Sequence, residues 1–195
     1  PLGSITAGVA SKMKLIGLCM RLLRTGCAYP IAVEHQDYPL DWPKPAPAAS
    51  GCPDLGGRYR NQGDVAKMPL ARWALPQTST PMEQIQTVEI DGPRDGELLL
   101  RFFAPPVQGR SEPEELGSRR WQQGEDFKCE DGWLVLSKTR LIPLAIFVTS
   151  DVVRFAPAAD RSLVVEKRED GGGVLVVLPA YLSYRSWQRY ARVER

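Results

Sequence analysis

The chain is poor in the residues on which most enzymes and metalloproteins depend. Among its 195 residues there is a single histidine, His35, and there are four cysteines, none of them in a Cys-x-x-Cys pair. A zinc site draws several ligands from Cys and His, and this inventory does not supply them. A serine triad would have to recruit His35, which stands beside Glu34 in a proline-rich stretch. Gly-x-Ser-x-Gly, a glycine-rich phosphate loop followed by Lys-Ser/Thr, and His-Glu-x-x-His are all missing from the sequence. The carboxylate pairs Glu114/Glu115 and Asp91/Asp95 fall in expected turns and loops and read as solvated charge, although glycoside hydrolysis needs only two carboxyls at a set distance. No motif calls for a cofactor or a metal. Charge of one sign is also lacking: 25 Lys and Arg face 23 Asp and Glu, for a net +2. So even a balance argues against nucleic acid as a partner, which selects a basic face.

The small positive excess lies before Cys52, where Lys12, Lys14, Arg21, Arg24 and Lys44 outnumber Glu34, Asp37 and Asp41. Pro1-Leu2-Gly3-Ser4 has the form of a remnant left by cleavage of an expression tag and is set aside as residues 1–4. Residues 12–27 begin with lysines, continue through a short apolar run and end in Gly26-Cys27. This pattern resembles a bacterial lipoprotein signal and makes Cys27 the lipidation candidate. Arg21 and Arg24 interrupt the run, and Leu23 lies one position further from Cys27 than that pattern places its large apolar residue. The same stretch also fits an amphipathic helix with Lys14, Gly17, Arg21 and Arg24 on one side, docked on the rest of the protein. Either way the run is too short to cross a bilayer as a helix. Five prolines among alanines follow between Tyr29 and Ser50, a composition expected to form an extended spacer. Residues 5–51 are thus read as a signal-like or docked segment plus a Pro/Ala-rich arm.

Residues 52–195 are read as one β-rich domain, and a chain that is 43% hydrophobic has ample material for its core. Strands are expected at 57–61, 85–90, 97–103, 126–129, 133–138, 152–155, 162–167, 173–178 and 184–193. Turn signals separate them: Asp91-Gly92-Pro93, Asp95-Gly96, Asp131-Gly132 and Asp170-Gly171-Gly172-Gly173 all offer residues that accept a positive φ. A short helix is expected from Pro69 to Leu75, stopped by Pro76. Many short strands in one domain imply an all-β, mainly antiparallel fold that hides its edges by curling into a barrel-like form or a sandwich, with one or two short helices and the N-terminal arm. Aromatics such as Tyr59, Phe102, Phe127, Phe155 and Tyr190 then fill the core in preference to lining a ligand cavity.

Only Cys52 and Cys129 belong to this domain, and a structural disulfide is the simplest account of them, with two buried free thiols as the alternative. The long loop it closes is worth about 4 kcal/mol in chain entropy. Such a bond persists in an oxidising compartment such as the periplasm.

Two surfaces are candidates for recognition. The longest expected loop, 104–123, carries Glu112, Glu114 and Glu115 and then Arg119, Arg120 and Trp121, residue types of which Arg and Trp anchor protein interfaces. The alternative is a solvated loop with Trp121 folded back on the sheet. Near the C-terminus, period-two alternation puts Arg185, Trp187 and Arg189 on one face of a strand, where arginine stems can cover the rim of a core.

The pattern Cys52-Pro53-Asp54-Leu55-Gly56-Gly57-Arg58-Tyr59-Arg60-Asn61, with Cys129, Asp131-Gly132-Trp133-Leu134-Val135-Leu136, Ser162-Leu163-Val164-Val165 and Arg185-Ser186-Trp187-Gln188-Arg189-Tyr190, resembles small periplasmic lipoproteins of Gram-negative bacteria. Several of these are similar in size and layout to immunity proteins against antibacterial effectors, including the lipase effectors of type VI secretion. The resemblance implies a non-enzymatic protein of the periplasm, free or lipid-anchored, whose partner is a secreted toxin and which would touch the membrane only through an N-terminal anchor. An envelope structural or assembly lipoprotein and a lipocalin-like carrier of a small apolar ligand are the competing expectations.

Overall fold

The computed structural model describes residues 29–65, 67–75, 82–106, 113–142, 146–175 and 178–194. The tag remnant, the segment 12–27 with both of its readings, and Glu112 lie outside the described residues. In chain order the strands are β1 (Tyr29–His35), β2 (Gly57–Arg60), β3 (Thr87–Arg94), β4 (Glu97–Phe103), β5 (Glu115–Gln122), β6 (Lys128–Glu130), β7 (Trp133–Ile142), β8 (Phe147–Pro157), β9 (Leu163–Leu175) and β10 (Leu178–Tyr190). One short helix, α1 (Ala71–Ala74), and a single 3-10 turn (Met82–Gln84) lie between β2 and β3.

The strands form two sheets, β1-β10-β9-β8-β7-β6 and β2-β3-β4-β5, which face each other as a sandwich and do not close into a barrel. Every pairing is antiparallel except that of β1 with β10. Period-two alternation then decides which side chains meet. Tyr59, Val88, Ile90, Leu98, Leu100, Phe102 and Trp121 of the smaller sheet pack against Leu134, Val153, Phe155, Leu163, Val165 and Tyr190 of the larger one. Trp121 meets Phe155 edge to face across the gap, with ring centroids 6.4 Å apart. At one rim the chain beyond β10 joins β2, where Arg60 N donates to Ala191 O at 2.9 Å and Val193 N to Arg58 O at 2.7 Å. At another, the disulfide between Cys52 and Cys129, 77 positions apart, fastens the segment before β2 to β6.

Two hairpins turn where the sequence signals them. Asp95-Gly96 and Asp131-Gly132 all have positive φ, the backbone that a two-residue hairpin with the right twist demands. Gly132 carries a second constraint, because a Cβ there would lie 1.9 Å from the carbonyl oxygen of Ala48.

Several expectations are corrected, and Asp91-Gly92-Pro93, expected as a turn, lies within β3 where its pairing with β4 shifts register. Residues 115–122 form an edge strand where a loop was expected. The glycines 171–173 do not turn the chain but run through β9. A Cβ on Gly173 would stand 2.3 Å from Ile146 O, and one on Gly171 2.7 Å from the Phe147 ring, so β9 needs glycine there for β8 to approach. Residues 29–35 are a strand, although they lie within the expected spacer. The rest of that stretch crosses the outer face of the larger sheet as a strap: Ala46 N bonds Pro157 O at 2.7 Å and Ala48 N bonds Gly132 O at 3.0 Å. Trp42 packs there with Trp187, Ala158 and Val164, forming a second, smaller core with Tyr38 and Trp133 at its border.

Candidate functional site

The loop cluster singled out in the sequence is dispersed by the fold. Trp121 is 5% exposed and belongs to the core, which corrects its role as a partner-binding anchor. Arg119 and Arg120, as neighbours in β5, point to opposite faces. Arg119 lies 3.7 Å from Asp126 and Arg120 lies 3.6 Å from Glu97. Glu114 and Glu115 are exposed at the start of the same edge strand, well before the arginines along it. These residues share a strand without forming one surface.

The larger sheet gathers charge on its outer face instead. Registers β7-β8-β9-β10 align Val135, Arg154, Glu166 and Trp187 in one row, and Ser137, Val152, Arg168 and Arg185 in the next. Glu166 is 1% exposed yet sits among three guanidinium groups. Its Oε1 accepts from Arg168 Nε and Arg185 Nε, both at 2.7 Å, while Oε2 lies 3.7 Å from Arg154 Nη1. Burial of a carboxylate is tolerable only with such partners, because an uncompensated charge at this depth costs several kcal/mol. Arg154 also stacks 4.9 Å from the Trp133 ring centre and Arg185 5.1 Å from that of Trp187. Arg168 and Arg185 spend their Nε groups on Glu166, and their terminal Nη groups make no hydrogen bond among the described residues. Three cations on one anion leave a local excess of positive charge, held rigid and turned outward. Such forks recognise carboxylates and phosphates.

His35 stands beside this row at the end of β1. Its Nε2 is 2.8 Å from Ser183 Oγ, which donates its one hydrogen to Asp170 Oδ1 at 2.7 Å. In a nucleophilic triad the imidazole takes the serine proton and the carboxylate orients the imidazole. Here the carboxylate holds the serine, and Nε2 is left to donate to it, so the order of groups is wrong for that chemistry. Further along, burial tends to raise the Asp160 carboxyl. Hydrogen bonds from Ser162 and the nearby Arg189 guanidinium outweigh burial and hold it below its usual range.

The smaller sheet repeats the motif on its own outer face. Glu89 is flanked in register by Arg58 and Arg101, at 2.7 and 3.2 Å. Two clefts among the described residues are open surface depressions. One of about 400 Å³ is lined by Arg60, Gln62, Gln86, Thr87 and Val193, and one of about 230 Å³ by residues that include Asp160, Arg189 and Arg192. Among the described residues no group of His, Cys, Asp and Glu is arranged to hold a metal, and no helix is long and apolar enough to cross a membrane.

Sequence reasoning placed Arg185, Trp187 and Arg189 on one face correctly but missed Glu166, which binds Arg185 and stands opposite Trp187. Its signal is an acidic residue at the end of the apolar run Leu163-Val164-Val165, just ahead of Lys167-Arg168. No protein-family model matches the chain, and neither does any curated protein or solved structure.

Proposed function

We propose that the protein is an exported, non-catalytic binding protein, most concretely an immunity protein that neutralises a secreted, lipase-type antibacterial effector by direct contact. The Glu166 assembly carries this reading. It fixes Arg168 and Arg185 in place with terminal donors turned outward, and preorganised forks of this kind bind an acidic surface with little ordering cost. The disulfide supports export, since such bonds persist outside the cytosol. A lipocalin-like carrier is less well supported, because Tyr59, Phe102, Trp121, Phe127, Phe155 and Tyr190 occupy the space that its ligand would need.

The test is calorimetric titration of the protein with the product of a toxin gene found beside its own. The double variant Arg168→Lys with Arg185→Lys keeps both charges near Glu166 but loses the forks. It is expected to bind at least tenfold more weakly while its melting temperature stays within a few degrees. Absence of a complex with the effector, or unchanged affinity of the variant, overturns the proposal.

A further inference from the structure

We propose that the free end of the larger sheet, opposite the strap, is a surface that contacts a lipid bilayer. At the end of β7 to β10 away from the strap, the outer-face side chains turn apolar and stand exposed. Leu141, Val148 and Tyr181 align in one outward row, interrupted only by Gly172. Beyond them lie Ile146 and Val174, joined by a bond from Val174 N to Ile146 O at 3.3 Å. Leu141 is 62% and Ile146 71% exposed. Scattered apolar residues on a surface mean little, but five exposed on adjacent strands at one end form a patch.

The course of the chain decides between a bilayer and another occupant. Because β1 runs parallel to β10, its first residue lies at this same end, with Tyr29 opposite Ala180 and Pro30 opposite Tyr181. Cys27 stands two positions before Tyr29 in the sequence, so the stretch that carries it joins the fold at this end. The lipidation candidate is therefore tied to the apolar end. The row behind the patch, Thr139, Ser150, Asp170 and Ser183, is polar, as suits the headgroup level. The arginines 168 and 185 come four residues back along the strands, about 13 Å from the apolar row. Interfacial elements sink about 5–10 Å, which leaves those arginines free to meet a protein. The choice of a bilayer as the occupant rests on the export proposed above.

The test uses the chain without any lipid attached, sedimented with vesicles of phosphatidylethanolamine and phosphatidylglycerol. The protein is expected to pellet with the vesicles. The triple variant Leu141→Ser, Ile146→Ser and Tyr181→Ser is expected to partition at least tenfold more weakly with an unchanged melting temperature. A wild-type chain that stays in the supernatant, or a triple variant that pellets equally well, overturns the proposal. So does a wild-type dimer in solution that the triple variant abolishes, since a second copy would then cover the patch. The variant keeps Arg168 and Arg185, so effector binding measured on it separates failure of this proposal from failure of the functional one.

Discussion

Replacing Trp121 by alanine separates a core residue from a binding anchor. The indole is 5% exposed and packs edge to face on Phe155 at 6.4 Å, bridging the two sheets. A buried Trp removes about 150–250 Å² from water, worth roughly 4–6 kcal/mol at about 25 cal/mol per Å². Large-to-small substitutions of Phe and Trp in cores cost about 3–5 kcal/mol. Taking about 4 kcal/mol, and about 2–4 °C per kcal/mol for a domain of this size, Trp121→Ala should melt roughly 8–16 °C lower. Arg120→Ala is the control: this side chain is exposed on the other face of β5, and its loss should change stability by no more than about 0.5 kcal/mol. Thermal unfolding followed by circular dichroism measures both without relying on the fluorophore removed. If Trp121→Ala melts with the wild type, the placement of β5 against the larger sheet is wrong.

In unreduced, denatured protein, peptide mapping should find Cys52 and Cys129 closed to thiol reagents until reductant is added. Free thiols at those two positions would undo the export argument. Reduction should cost about 4 kcal/mol, the chain entropy of a loop closed over 77 positions. Burial, with a smaller push from Asp54 and an opposing pull from Arg192, raises the Tyr59 phenol to about 12. The fold thus favours the protonated phenol, so this contribution is complete below the unfolded value of about 10 and is lost as pH rises from there through about 12. Burial raises Tyr190 in the same direction. Tyr59→Phe should cost about 1 kcal/mol at neutral pH through the lost bond to Leu55 O and flatten the alkaline decline of the urea midpoint. An equally steep decline in the variant would show that Tyr59 is not its source.

What could be read from the sequence followed local chemistry. The Asp-Gly pairs fixed two hairpins, the bounds of β4 were legible from its apolar run of leucines and phenylalanines, and the cysteine pair emerged by elimination of other roles. What escaped was decided by distant contacts. β5 reads as a loop because edge strands carry charge and glycine to discourage further pairing. The glycines of β9 read as a turn because the reason for them, the closeness of β8, is invisible in their own segment. The strap reads as a spacer because its prolines lack hydrogen-bond donors, yet Trp42, Ala46 and Ala48 find partners on the sheet. The arginine face was half legible: alternation aligned Arg185 with Trp187, but only the register with β9 brings Arg168 and Glu166 beside them.

The pairing of the first strand with the last has a kinetic meaning. Until β10 has been synthesised, β1 and β9 both lack a neighbour, and β2 still waits for Ala191 and Val193. Contacts so remote in sequence form slowly. Before β10 is made, a nascent chain would therefore present unpaired edges, a state prone to aggregation and dependent on chaperones. On the export proposed above that delay is an advantage, because neither sheet can be completed before β10 and Val193 have been made.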